Sequence, residues 1–427
     1  MKRTHTTRRR SASIVAGGIG AAMVLAVAVV PMSTAAPTAK SSPKPKAVCP
    51  TEHGVTPTSV KVGIVYPKTG PARASFADFD KAVQLRFDQE NAKGGVNGRK
   101  FQTIVYDDQG SGAMQTTVAT KAVQGDDVFG VVSAGINDTM YPIFKRENLP
   151  VTGLGNQPPF GSDRNVFGAT GASDPTVTTT SNALRLKEGG ASKIAVLNHT
   201  TPAANLSNNA FEVTLPLEGL TKVLRLSDLP TGSYDATSTA LRVKASGADG
   251  VLENVYVDGG VSLAQAFRNQ GYTPKVTMFV GLVDPGVVQK TGGALEGVVG
   301  TTYGTVPPTV NRRSVKTYVN GMKAGGLNPY SAIAPVGFVS AELFIRGLKE
   351  AGSCLTRTNF IEKLRLVNNF DGKGMLPAPL SYRPGLTPNG DPARCSWFNT
   401  AKGNTLVADA KPTCGQFVNV ATGKVVK

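Results

Sequence analysis

The feature that most constrains this sequence is an alternation of short β-branched runs with stretches of helical periodicity. Residues 60–66 (VKVGIVY) are apolar almost throughout, as a strand covered on both faces must be. A Gly/Pro/Ser loop follows over 67–76. Phe76, Phe79, Ala82, Val83 and Phe87 then recur at helical spacing, placing one apolar stripe on a face. Gly94-Gly95 marks the stop. Strands are predicted at 101–106, 129–132 and 151–154, with helices at 116–123 and 140–147 between them. The rhythm restarts with strands at 193–198, 223–226, 250–255 and 276–281. Helices at 205–217, 237–245, 262–270 and 285–291 alternate with them. Strand–helix–strand repeats imply parallel sheets with helices on both faces. Two such series, with crossovers at 167–175 and 298–308, predict an α/β chain of two Rossmann-like lobes flanking a cleft. A core helix is predicted over 335–351, and a Pro/Gly-rich tail with short strands beyond Asn369.

The first residues are of another kind. Lys2, Arg3, Arg8, Arg9 and Arg10 precede an uncharged apolar run over 14–30, and Ser33, Thr34, Ala35 and Ala36 follow. That order predicts a signal peptide over 1–36, hence an exported protein of the periplasm or cell surface. Residues 37–57, including KSSPKPK, read as a disordered linker. The 46 Lys and Arg against 29 Asp and Glu give a formal charge of +17. The basic residues are scattered rather than gathered in a stripe, which argues against a nucleic-acid partner. Cys49, Cys354, Cys395 and Cys414 form an even set, which in an exported chain favours disulfides. Four cysteines permit three pairings. Cys395–Cys414 is the local choice and leaves Cys49–Cys354. Without a CxxC, and with three histidines far apart, neither a metal nor a cofactor is expected.

Particular segments go further than the pattern. Residues 88–100 (DQENAKGGVNGRK), followed by Tyr106-Asp107-Asp108, resemble the type I periplasmic solute-binding proteins of ABC transporters, branched-chain amino acid (leucine/isoleucine/valine) group. In that group the first helix ends in a similar N-A-x-G-G-V-N-G-R, before a strand and a paired-acid surface loop. Residues 66–72 (YPKTGPA) resemble the group's first ligand loop. Residues 235–250, 293–303 and 338–352 resemble its second-lobe helix and strand, its second hinge and its late helix. The resemblance spans roughly residues 58–375. It implies two lobes, 58–170 with 301–365 and 171–300 with 366–427, that hinge shut on a solute. It also implies a transporter permease as partner, a monomer, and no enzymatic activity.

In open α/β sheets ligands sit beyond the carboxyl ends of the strands, which selects candidates. In the first lobe these are Tyr66, Ser75, Phe76, Ala134, Asn137, Asp138, Asn156 and Gln157. In the second they are His199, Thr200, Tyr256 and Asp258, with Tyr303 at the hinge. Phe76, Tyr256 and Tyr303 suit an apolar ligand part, and Asp138 or Asp258 an ammonium. Amino-acid binders of the group carry a Ser/Thr-rich turn after the third strand. Here Ile136 and Asn137 stand in that turn, and Arg73 and Phe76 enlarge the first loop. The implied solute therefore extends from amino acids to other small organic compounds, aromatic or amide. No GxSxG elbow, GxxxxGK[ST] loop or strand-bound GxGxxG is present in the lobes, which weighs against hydrolase and nucleotide chemistry. A sensor or protein-contact role on the same fold, without transport, is the alternative.

Overall fold

A computed structural model describes residues 49–171, 174–231 and 234–426. The expected signal peptide and most of the expected linker lie outside the described residues. The first lobe opens with β1 (Ser59–Tyr66), α1 (Phe79–Asn91), β2 (Lys100–Asp107), α2 (Gly112–Thr120), β3 (Gly130–Ser133) and α3 (Tyr141–Arg146). It continues through β4 (Val151–Gly153), the short α4 (Pro159–Ser162) and β5 (Val166–Gly168). The strands form one parallel sheet in the order β2-β1-β3-β4-β5, with Val62 paired to Gly130 and Val131 to Val151. Strand alternation sends Val62, Ile64 and Tyr66 to one face and Val65 to the other, and each face joins its own buried cluster.

A crossover holds β6 (Val177–Thr179) and leads into α5 (Ser181–Glu188). The second lobe follows as β7 (Lys193–His199), α6 (Pro202–Glu212), β8 (Thr221–Leu229), α7 (Ala236–Ala245), β9 (Gly250–Asn254), α8 (Val257–Asn269), β10 (Val276–Val280), α9 (Pro285–Lys290) and β11 (Val299–Thr301). Its parallel strands run β8-β7-β9-β10-β11. The chain then returns to the first lobe as α10 (Arg313–Ala324), α11 (Ala334–Ala351) and α12 (Arg357–Leu364). The helix α11 packs on α1, β3 and β4. Gly347 sets its closest approach to α12: a Cβ there would lie 2.2 Å from the Phe360 ring.

Two features depart from the sequence reading. Residues 366–382 do not join the second lobe: Val367, Phe370, Met375, Leu376, Leu380 and Tyr382 are buried in the same cluster as β1 and α11. The chain crosses again only after Tyr382, into β12 (Cys395–Ser396), β13 (Phe398–Lys402) and β14 (Thr405–Ala408). The last two extend the second sheet antiparallel from β11. Then β15 (Thr413–Cys414) pairs with β12, and β16 (Phe417–Asn419) joins β17 (Lys424–Val426) and β6. The disulfides are Cys49–Cys354 and Cys395–Cys414. Among the described residues no helix is long and apolar enough to cross a membrane.

Candidate functional site

The carboxyl ends of both parallel sheets face a shared cleft of about 330 Å³. The first lobe supplies Phe76, Ile136, Leu154 and Asn156. The second supplies His199, Thr201, Asn208, Asn254 and Tyr256. The crossovers supply Asp174 and Tyr303. The lobes touch across it: the Phe76 and Tyr256 rings meet edge to face at 6.3 Å. Phe76 is buried, carried by the turns between β1 and α1.

Tyr256 is held from beneath. His199 ends β7, and its Nε2 accepts the Tyr256 backbone N–H at 2.9 Å. Its Nδ1 lies 3.3 Å from the Leu229 carbonyl. A nitrogen that accepts is unprotonated, so Nδ1 carries the hydrogen and donates to Leu229. The imidazole packs on the Tyr256 ring with centroids 4.7 Å apart and the planes tilted by 48°. Burial holds the His199 pKa below the ordinary value, against the carbonyls of Leu229 and Pro230. The unfolded chain therefore takes up this proton first as pH falls. Stability from His199 is complete above the ordinary histidine range, near about 6.5, and is lost as pH falls below it. Between pH 7.5 and 5 the melting temperature should drop less in His199→Gln than in the parent. Equal drops in a thermal melt would remove His199 as the source.

Beside this pair an asparagine ladder stiffens the floor. Asn198 donates to Asn205 at 2.8 Å, and Asn208 donates to Asn198 at 2.9 Å. Asn254 reaches Asn208 at 3.4 Å. Thr201 caps α6 through Ala204 N–H.

The predicted residues divide. Phe76, Asn156, His199, Tyr256 and Tyr303 line the cleft. Tyr66, Ser75, Ala134, Asn137, Asp138, Gln157, Thr200 and Asp258 are not among its lining residues. Tyr66 turns into the core against Phe79. Ser75 and Ala134 are buried, with backbone bonds to Ala72 and Val65. The Asn137 amide donates to Gly110 O and the Gln157 amide to Gly135 O, so both brace neighbouring loops. The Asp138 carbonyl receives Tyr141 N–H. Thr200 faces Leu229, and Asp258 is exposed on the first turn of α8. The acid pair is likewise structural. Asp107 accepts from Lys68, Thr69 and Gln109, whereas Asp108 is fully buried on Gln115, not on the surface. Among the described residues no group of His, Cys, Asp and Glu is arranged to hold a metal.

The sequence reading missed Asp174, Asn182, Asn208 and Asn254, and the tail residues Pro392, Ala393 and Ser396. Asn254 ends a predicted strand and was within reach of the strand-end rule. The tail carries no local signal.

Two parallel α/β lobes joined by crossovers, with strand ends and an aromatic bridge facing one cleft, define a bilobal solute-binding scaffold. The periplasmic binding protein family matches residues 59–405, and the chain belongs to that family. It is 28% identical over 244 residues to a Leu/Ile/Val-binding protein homologue of Brucella melitensis, covering 53% of this chain and 60% of that one. The chain thus spans about 60% of the length of that curated relative. Among solved structures, a fatty acid ABC transporter substrate-binding protein from Thermomonospora curvata aligns with a TM-score of 0.72 at 16% identity, over 89% of this chain and 97% of that one. A Rhodopseudomonas palustris ABC transporter solute-binding protein in complex with benzoate gives 0.69 at 15% identity, over 84% and 97%. Both likenesses concern the fold.

Proposed function

We propose that this chain captures a small organic solute outside the cytoplasm by closing its two lobes, and delivers it to the permease of an ABC importer. The observation that carries this is the cleft itself. Strand ends of two lobes converge on it, and Phe76 and Tyr256 meet across it. Enclosure removes water and strengthens each remaining polar contact. The family, and relatives that bind amino acids or aromatic acids, support the same reading. The cleft offers pairing, aromatic faces and enclosure, which suit binding. The protein acts as a monomer, exported by the signal peptide expected over 1–36.

Titration of the purified chain with a solute panel, followed by calorimetry and small-angle scattering, tests this. A bound solute should compact the particle. Tyr256→Ala should weaken binding by about 1–2 kcal/mol, roughly five- to thirtyfold. A solute held with unchanged affinity by Tyr256→Ala would place the site elsewhere.

A further inference from the structure

The cleft's charge disagrees with that of the chain around it. The sequence holds 46 Lys and Arg, yet no Lys or Arg is among the cleft's lining residues, and Asp174 is its one carboxylate. Asp174 is 5% exposed. Its Oδ1 accepts from the backbone N–H and hydroxyl of Thr176, and its Oδ2 lies against Gly161, where a Cβ would come within 2.8 Å. Asn156 Oδ1 is a buried acceptor without a partner among the described residues.

A carboxylate could still be met by helix N-termini, which offer free N–H groups and partial positive charge. Here those ends are only partly taken. In α6, Pro202 has no N–H, and Thr201 takes that of Ala204. In α8, no side chain caps the helix, but Asp258 already places a negative charge in its first turn. The tail crosses the start of α5. A Cβ at Gly415 would lie 2.5 Å from Ser181 N and 2.7 Å from Thr180 N, so a residue without a side chain lets the backbone cover that turn. A carboxylate entering this cleft would lose its hydration and meet no cation. A group with N–H donors would find the Asp174 carboxylate, Asn156 Oδ1 and the electron-rich ring faces of Phe76, Tyr256 and Tyr303.

We propose that the cleft recognises an amide- or amine-bearing solute with an apolar body and no carboxylate, an inference that rests on the reading of the cleft as a solute site. The shared chemistry is an N–H donor beside an apolar group. It separates this chain from the Rhodopseudomonas palustris protein of similar fold in complex with benzoate.

Calorimetric titration with matched series decides it: benzoate, benzamide and benzylamine; isovalerate, isovaleramide and isopentylamine; L-leucine and L-leucinamide. Within each body the amide or the amine should bind at least about tenfold tighter than the acid or zwitterion. Asp174→Asn should weaken an amine about tenfold and leave an amide within about threefold, which tells the two sources of the N–H group apart. Should Asp174→Asn fail to fold, Asn182→Lys, which adds a cation to the cleft wall, should raise affinity for the acids. A carboxylate bound as tightly as its amide and amine overturns this inference and leaves solute capture standing. Binding by no member of any series, nor by any solute of a broad panel, overturns both.

Discussion

Arg365→Leu should destabilise the protein by about 3–5 kcal/mol, near the upper limit for a single substitution. Arg365 is 2% exposed and follows α12. Its guanidinium has no carboxylate partner. It donates instead to backbone carbonyls: Arg164 at 2.9 and 3.0 Å, Val166 at 2.7 Å, Asp163 at 3.2 Å and Asn389 at 3.0 Å. It also lies 4.0 Å over the Phe167 ring. Burial lowers its pKa to about 9, which still leaves it charged at neutral pH. Hydrogen bonds from a charged donor contribute about 1.5–3 kcal/mol each, and a buried carbonyl left without a donor costs about 1–3 kcal/mol. Relief from burying the charge offsets part of that sum. Arg365→Lys keeps the charge but cannot span four carbonyls with one ammonium, so most of the loss should remain. Denaturant unfolding of both variants checks this. An Arg365→Lys protein as stable as the parent would show that charge, not the fork of donors, is what matters.

The second large effect separates the disulfides. Cys49–Cys354 closes 305 residues and Cys395–Cys414 closes 19. In the chain-entropy account the longer loop is worth about 6 kcal/mol and the shorter about 3, with measured values for native bridges about 2–5. The paired substitution Cys49→Ser with Cys354→Ser should therefore cost more stability than Cys395→Ser with Cys414→Ser. Ligand affinity should rank the other way. The short bridge pins Pro392, Ala393 and Ser396 against the cleft, whereas Cys354 sits between α11 and α12. Melting temperatures and titrations of the two variants give both orders. If the long-bridge variant loses more affinity than the short-bridge one, the tail is not a wall of the site.

Much of the architecture was legible because buried parallel strands read as unbroken β-branched runs. Residues 60–66 and 193–198 lie within β1 and β7. Helix starts were less so. The helix α8 begins at Val257, not 262, because Gly259 and Gly260 look like breakers. Gly260 is there for a neighbour: a Cβ would lie 2.7 Å from the Phe279 ring, and a single sequence does not show that contact. The strand-end rule selected His199, Asn156 and Tyr256, which line the cleft, while the meeting of Tyr256 with Phe76 came only from the structure. It failed for Tyr66, since alternation turns the last residue of β1 into the core. It also failed for Asn137 and Gln157, whose amides serve backbone carbonyls. The placement of Asp174 in the cleft wall depends on tertiary structure that no local pattern encodes.

The core beneath β1 is built from both ends of the chain. Val60, Phe79 and Phe87 share one cluster with Phe344, Phe360 and Tyr382, and the intervening chain forms the other lobe. Bringing such distant partners together carries a loop-closure cost and slows folding. That larger cluster is therefore complete only once Tyr382 is available, although the opposite face of β1 closes locally on residues up to Val166. The second lobe, closed within a shorter span apart from β13 and β14, is free to order earlier. The first lobe is thus sealed by residues that the chain supplies only after the second lobe, and its larger core is completed late in chain order.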